Sequence, residues 1–489
     1  MYKLVKSLFK QSSIYALGDL LTKGTGFFLL PLYTAYLTPE DYGIISLATV
    51  SATIFTIIST GGLKGAVLKF YYDFDKENNR KQFYGTLWLF YLLIPGLLLF
   101  LFELKGDVVF KQILPSVAYH PYLRLALWAF YIKVLFAEMP LHIFKAKGEA
   151  TKHTLVKVGI FSFSTILTIW FVVFWEQGAK GFLLAKFLGH LLIAIATTYY
   201  LYKFIQISFK WSYLKRALLY SLPLVPHFLS HWVLSSSDRI VLEYFVPLSE
   251  VGIYNVGYTI GSAMSMIAIA GNNAIIPLYG KLDLKNKSAI NEVVKTATYY
   301  VATITVIALM IVLFAEDFIL LAIPESYHGA IGIIPWVVLG YVFMGLYFTQ
   351  INLLTITLGK TTVVGISTTI AALANIGLNI LLIPYFGMIG AALTTAFTYL
   401  LLFIGMNYFS RQAYPIPFEY LRMFKVILVA FLTFIGSYLL IPTVVYISLP
   451  LKMVALIIFG ITLYLLGFFT REEIKILKQK LLTVSNKYE

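Results

Sequence analysis

Residues 30–50 run LPLYTAYLTPEDYGIISLATV: the end of one apolar stretch, a short polar turn, and the start of another. The turn has the form of a helix start. Thr38 suits the N-cap, where its hydroxyl can take an orphan backbone N–H. Pro39 suits the first helical position, and Glu40 and Asp41 meet the positive end of the helix dipole. Membrane glycosyltransferases also carry an acidic pair in such a loop, as a catalytic or metal-binding group, so an enzyme has to be weighed. Against it, Pro247-Leu248-Ser249-Glu250-Val251-Gly252 repeats the form of the turn without the acidic pair, and capping explains both.

Apolar stretches long enough to cross a bilayer, about 20 residues, recur on both sides of this turn. They fall at 13–37, 43–63, 83–102, 119–141, 154–175, 181–202, 217–246, 251–279, 296–315, 329–357, 361–384, 387–409, 424–442 and 445–469. They predict an all-α integral membrane protein of about 14 transmembrane helices. Composition agrees. Of the 489 residues, 59% are apolar and 12% charged, with a mean hydropathy of +0.82, where soluble domains hold roughly 45–50% and about 25%. A water-soluble enzyme is excluded, and no sizeable soluble domain fits beside the spans. The absence of cysteine also excludes disulfides, thiol catalysis and thiolate metal sites. Residues 1–11 are basic, and the apolar stretch after them lacks a small-residue cleavage site, so a retained first helix is expected rather than a signal peptide.

The formal charge is +15, from 38 Lys and Arg against 23 Asp and Glu. Such an excess can serve nucleic acid, anionic lipid or membrane topology, and position separates them. With the N-terminus inside, 29 of the 38 basic residues fall in alternate, cytoplasmic segments, clustered at 64–81, 145–157, 203–216 and 281–295 among others. The outer loops hold only Lys105, Lys111, Lys180 and Lys452. The charge is therefore chiefly a topology signal. It predicts a multi-pass membrane protein with both termini cytoplasmic, and no nucleic-acid partner.

An internal repeat appears at an offset of 209. Gly43 falls on Gly252, Gly62 on Gly271, Gly178 on Gly387 and Gly181 on Gly390, with Asp41 on Glu250. Roughly one such glycine pair is expected by chance. The same offset lays span 1 on span 7 and span 6 on span 12. Six helices per repeat is even, so the two lobes would insert alike, related by a pseudo-twofold along the membrane normal. The expected division is 1–209 and 210–415 as six-helix lobes, 416–470 as two extra helices, and 471–489 as a basic cytoplasmic tail.

Few residues carry candidate chemistry. Gly359-Lys360-Thr361 resembles the end of a phosphate-binding loop, but position 354 is Leu where that motif needs Gly. His227 and His231 share one helix face without the acid of a metalloprotease pattern, so no metal site is expected. More informative are ionisable groups inside spans, since a charge in the bilayer core costs at least about 2.5 kcal/mol and normally faces protein or a watery cavity. Asp19 and Lys23 lie in span 1, and Asp238, Arg239 and Glu243 in span 7, its repeat mate. A pseudo-twofold would set these spans on opposite walls of one cleft. Asp19, Lys23, His227, His231, Asp238 and Arg239 would line it, with Lys64 at the end of span 2 and Asn272-Asn273 at the equivalent place in span 8. The competing expectation is pairing within helices, Asp19 with Lys23 and Arg239 with Glu243. For Lys133, Glu138 and Lys186, near helix ends, snorkelling to the interface is the simpler expectation. Lys23, Lys64 and Arg239 suit an anion such as a diphosphate, which Arg can grip through two oxygens.

The stretches at 30–50, at 237–258 (SDRIVLEYFVPLSEVGIYNVGY) and at 375–392 (NIGLNILLIPYFGMIGAA) resemble the Wzx-like polysaccharide flippases, in the superfamily that includes multidrug and toxic compound extrusion transporters and lipid II flippases. The resemblance spans about residues 5 to 470. It implies two six-helix lobes around a central cavity with two added helices. It also implies movement of an undecaprenyl-diphosphate-linked oligosaccharide, the O-antigen or lipopolysaccharide kind among them, from the cytoplasmic to the outer leaflet by alternating access. On that resemblance Lys23, Lys64 and Arg239 would hold the anion, while Asp19, Asp238, His227, His231, Asn272 and Asn273 would serve ion coupling or polar lining. No catalytic residue or cofactor is implied beyond proton or sodium coupling. Expected partners are the lipid-linked oligosaccharide, membrane lipids, a polysaccharide polymerase and glycosyltransferases. The alternatives are a multidrug/cation antiporter of the same fold, which should prefer an acidic cavity, and a membrane glycosyltransferase or polymerase, which should need a larger outer loop than residues 103–118.

Overall fold

The computed structural model describes residues 14, 15, 17–22, 24–470, 473 and 474. Among them every regular element is helical. The described residues of 14–28 are helical and lead into α1 (Leu30–Tyr36), with Pro31 in its first turn. Then follow α2 (Pro39–Ser59), α3 (Lys64–Lys69), α4 (Glu77–Ile113), α5 (Tyr119–Ala146), α6 (Ala150–Phe174), α7 (Gly178–Phe204), α8 (Trp211–Glu243) and α9 (Leu248–Gly280). The last are α10 (Lys287–Ala322), α11 (Ile334–Thr357), α12 (Thr361–Ala413), α13 (Tyr420–Leu440) and α14 (Val445–Leu465).

All but α1 and α3 are long and apolar enough to cross a membrane, which makes 12 such helices among the described residues. The sequence predicts about 14, and the difference has a physical explanation. A 53-residue α12 would be about 80 Å long against a hydrocarbon core of about 30 Å. Its backbone leaves the helical region at Gly387, where φ is 52° and ψ −132°, so it holds two spans, the 361–384 and 387–409 expected from hydropathy. The first predicted span, 13–37, is helical at its described residues except Leu29 and Leu37. The all-α integral membrane fold is thus the observed one.

Packing divides the chain into two compact units, one of Met1–Thr259, Ile323–Ala330 and Thr368–Thr394, the other of Ile260–Ala322, Ile331–Ser367 and Thr395–Glu489. In the first unit the Thr38 turn is a built corner. The Thr38 hydroxyl accepts from the Asp41 N–H at 3.2 Å, and the Asp41 carboxylate accepts from the Thr38 N–H at 3.1 Å, a complete capping box. The same carboxylate accepts from the Ala179 N–H at 2.7 Å, tying the start of α7 to the start of α2. Buried Tyr327 donates to the Leu37 carbonyl at 2.7 Å. Asp41 therefore does capping work, with Glu40 beside it in the first turn.

Two offset-209 pairs share local geometry here. Gly178 (φ 53°) lies against Asp41, and Gly387 (φ 52°) lies against Glu250; both glycines occupy left-handed backbone that other L-residues enter only at a cost. A third pair makes a direct crossing. A Cβ on Gly252 would collide with the Pro39 carbonyl, and one on Gly43 with the Leu248 carbonyl, so α2 and α9 approach backbone to backbone. Gly252→Val should accordingly cost about 1–3 kcal/mol by overpacking. Gly365→Ala, where nothing lies within 4 Å of the added carbon, should be neutral or stabilise by up to about 1 kcal/mol. Unfolding midpoints of the two variants in one detergent would check the contrast, and equal midpoints would refute the crossing.

In the second unit α10, α13 and α14 share an apolar core that includes Leu309, Val426, Phe459 and Phe468. Lys452 belongs inside this unit, which corrects its expected place in an outer loop. It lies in α14, 5% exposed, with Nζ 2.7 Å from Asp317 Oδ2 and 3.5 Å from Glu316 Oε2. Ser448 donates to the other Asp317 oxygen at 2.7 Å. A turn-forming Ser-Leu-Pro segment before Lys452 makes the sequence look like a loop, yet the helix runs through it.

Candidate functional site

The polar side chains of α8 fall into two groups. Toward its C-terminal end Asp238 and Arg239 are buried, 2% and 6% exposed. Arg239 Nη1 lies 3.1 Å from Asp238 Oδ1 and donates to the Ser235 carbonyl at 2.8 Å, while Nε donates to Asn255 Oδ1 at 3.2 Å. The guanidinium stacks 4.2 Å from the Tyr258 ring centroid, a favourable cation–π placement. The Tyr254 hydroxyl donates to the second Asp238 oxygen. A tyrosine, an asparagine and a second tyrosine from α9 thus complete a network that neutralises two charges in a dry interior. Ser237 extends it by donating to Asn375 at 3.4 Å, and Asn379 donates to the same Asn375 oxygen at 3.1 Å.

Toward the N-terminal end of α8, a 3-10 turn at Leu222–Leu224 contains Pro223, and Pro226 follows it. His227 and His231 follow on one exposed face. Lys64, exposed at the start of α3, places its ammonium 4.4 Å from the Phe228 ring centroid, and Lys64 and His227 are both within electrostatic reach of His231. Arg239 is eleven helical steps beyond Phe228, about 16 Å along the axis. The sequence groups these residues as one lining; the structure sets them at two depths.

The remaining candidates lie elsewhere. Lys23 is outside the described residues. Asp19 is exposed and pairs with Lys157 of α6. In the second unit Asn272 is buried and accepts from Asn352 Nδ2 at 2.7 Å, while Asn273 is exposed. Pairing within helices takes a different form from the i,i+4 expectation. Arg239 pairs with its neighbour Asp238, and buried Glu243 accepts from the Ser116 N–H at 2.8 Å. Lys133 and Glu138 pair at 3.1 Å in a π-helical stretch of α5, with His142 3.2 Å from the same carboxylate. These two pair with each other where snorkelling was the simpler expectation.

Sequence inspection missed Tyr254, Asn255, Tyr258, Asn375 and Asn379. The available signal was polar spacing: Tyr254 and Tyr258, and Asn375 and Asn379, are four apart in otherwise apolar helices, which puts each pair on one face. Among the described residues no three His, Asp or Glu side chains converge as a metal site would require.

Comparison with known proteins joins these observations. Relatives include the Lsg locus protein 1 of Haemophilus influenzae, 22% identical over 330 residues, covering 66% of this chain and 78% of that one. A membrane protein of Methanocaldococcus jannaschii is 29% identical over 251 residues, covering 51% of this chain and 49% of that one. Among solved structures the lipid II flippase MurJ, in an inward closed conformation, superposes with a TM-score of 0.75 at 16% identity, covering 94% of this chain and 99% of that one. An inward-facing multidrug resistance transporter of the MATE family has a TM-score of 0.62 at 16% identity, covering 82% and 94%. The polysaccharide biosynthesis protein family matches residues 8–283, a stretch that contains all of α8 and its partners Tyr254, Asn255 and Tyr258. With more than half of the chain matched, the chain belongs to the polysaccharide biosynthesis protein family, and its fold is similar to that of the lipid II flippase and the multidrug transporter.

Proposed function

We propose that the protein flips an undecaprenyl-diphosphate-linked oligosaccharide from the cytoplasmic to the outer leaflet of the inner membrane by alternating access, for surface polysaccharide synthesis. The observation that carries this reading, beside family membership, is the pair of polar groups along α8, the first shared with Lys64 of α3. The basic Lys64, His227 and His231 group lies toward the predicted cytoplasmic end, and Arg239 with Asp238 about 16 Å further along. An anionic head group would meet Lys64 first and Arg239 later in its passage. Asp238 holds Arg239 while no anion competes for it, and a diphosphate would offer the guanidinium stronger acceptors.

In this reading Lys23 joins the anion holders, and Asp19, Asp238, His227 and His231 supply proton or sodium coupling, with Asn272 and Asn273 as polar lining. The lobes divide at 209 and 415 with both termini cytoplasmic, and a polymerase and glycosyltransferases act before and after the flip. The preponderance of bases over acids in the proposed lining favours an anion over the cations a drug exporter moves.

The test is reconstitution in vesicles with a fluorescent polyprenyl-diphosphate oligosaccharide, read by an impermeant quencher. Wild-type protein should equilibrate the label across the bilayer, and Lys64→Ala should slow it. Transport of cationic dyes with no movement of the diphosphate would reverse the assignment toward the exporters.

A further inference from the structure

One basic cavity of the first unit lies away from the network of α8. It has a volume of about 290 Å³ and is framed by the start of α4 and by the ends of α5 and α7, with Arg80, Lys81, Lys147, Lys203, Tyr71 and Phe204 in its wall. These helix ends are membrane-span ends, so the cavity opens at the level of the lipid head groups. The basic clusters at 64–81, 145–157 and 203–216 meet there, on the predicted cytoplasmic side.

Its bases are held in place and poorly neutralised. The Arg80 guanidinium lies 4.5 Å from the Tyr71 ring centroid and donates through Nη2 to the Phe74 carbonyl at 2.7 Å. Its buried Nε–H meets no acceptor of the protein. The Lys147 ammonium lies 4.4 Å over Phe204, and the Lys203 ammonium 4.2 Å over Tyr199. Among the described residues, Arg80, Lys147 and Lys203 have no carboxylate within ion-pair distance. Of the two acids in the wall, Glu77 is taken by Lys81 at 3.1 Å, and Asp75 is exposed. Four cations face two carboxylates. The aromatic rings fix the ammonium groups, which lowers the entropy lost when an anion arrives. Tyr72, donating to the Ala146 carbonyl, ties the 70–76 loop to the end of α5, so the wall is preorganised.

We propose that this cavity binds a phosphate anion, through Arg80, Lys147 and Lys203, at the cytoplasmic membrane surface. Two sources share that chemistry: the phosphodiester head group of an anionic bilayer lipid, and a free diphosphate in the cytoplasm. Basic pockets between helices at this level take anionic head groups elsewhere.

The experiment titrates short-chain phosphatidylglycerol, phosphatidylcholine and inorganic pyrophosphate separately against the full chain in detergent. The unfolding midpoint is the readout, because a ligand that binds only the folded protein raises it. The expected result is a midpoint rise with phosphatidylglycerol or with pyrophosphate and none with phosphatidylcholine. The apparent affinity should fall roughly 30-fold in Lys147→Ala/Lys203→Ala and persist in Lys147→Arg/Lys203→Arg. A response to phosphatidylglycerol alone assigns the lipid source, and a response to pyrophosphate assigns the free diphosphate. If the double alanine variant fails to fold, the single Lys147→Gln and Lys203→Gln variants, which keep the stems packed, carry the same comparison. An equal response to phosphatidylcholine, no response to either anion, or affinities unchanged by the substitutions would overturn the proposal.

Discussion

Arg239→Ala should lower the stability of the protein by about 3–5 kcal/mol, because it strands Asp238 in the interior. The pair is almost fully enclosed, with side-chain exposures of 7% and 3%. Truncation removes the ammonium-like partner of one carboxylate oxygen and leaves the Tyr254 hydroxyl as the neutral donor on the other. It also removes the cation stacked on Tyr258. Arg239→Lys keeps the charge but cannot reach Ser235 and Asn255 in one planar fork, so it should fall between wild type and alanine. Asp238→Asn combined with Arg239→Met should recover much of the loss, since replacing both members of a buried pair is far milder than removing one. Unfolding midpoints of the four proteins form the check. Transport separates stability from function: the double variant should fold yet move the labelled diphosphate slowly or not at all. A double variant with normal transport would leave the pair a purely structural clamp.

Lys452→Ala should cost a comparable amount, about 3–5 kcal/mol, for the same reason in the second unit. Asp317 is 2% exposed, and Lys452 and Ser448 are its ligands in that interior. The consequence should be local. Lys452 fastens α14 to α10, so cleavage by protease in residues 441–444, between α13 and α14, should accelerate before the rest of the chain opens. Lys452→Met should be as harmful as alanine while Asp317 stays charged, and Asp317→Asn with Lys452→Met should restore resistance. Wild-type resistance in Lys452→Ala would show that the pair contributes nothing, contrary to this account.

The spans were legible because they depend on a local quantity, the hydropathy of about 20 consecutive residues. Even the interruption of α12 was visible, since one apolar run ends at 384 and the next starts at Gly387. The Thr38 corner was legible for a related reason: an N-cap, a first-turn proline and an acid three residues on satisfy one another within four positions. Lys452 shows the limit. Its neighbours Ser448 and Pro450 look like a loop, and its partner Asp317 stands 135 residues earlier, so nothing near it in the chain announces a buried ion pair. Asp19 follows the same rule: its partner Lys157 stands 138 residues later.

The candidate site was half visible. The sequence marks Asp238, Arg239, His227 and His231 as out of place in an apolar helix, because desolvating a charge costs the same wherever the chain later goes. It does not say who compensates the charge. Tyr254, Asn255 and Tyr258 serve that end because the Pro247 turn folds α9 back along α8, and the close crossing at Gly43 and Gly252 holds α9 in register against α2. Nor does it give depth, which depends on the rise of α8 beyond its 3-10 turn and separates Lys64 from Arg239.

Composition and hydropathy by themselves determined an all-α membrane protein and the residues whose burial needs explaining, since each is a property of a short stretch of chain in a nonpolar solvent. Only the tertiary structure decided which charges neutralise which. Electrostatic pairing is set by distances of about 3 Å across helices, and those distances exist only once the helices have packed.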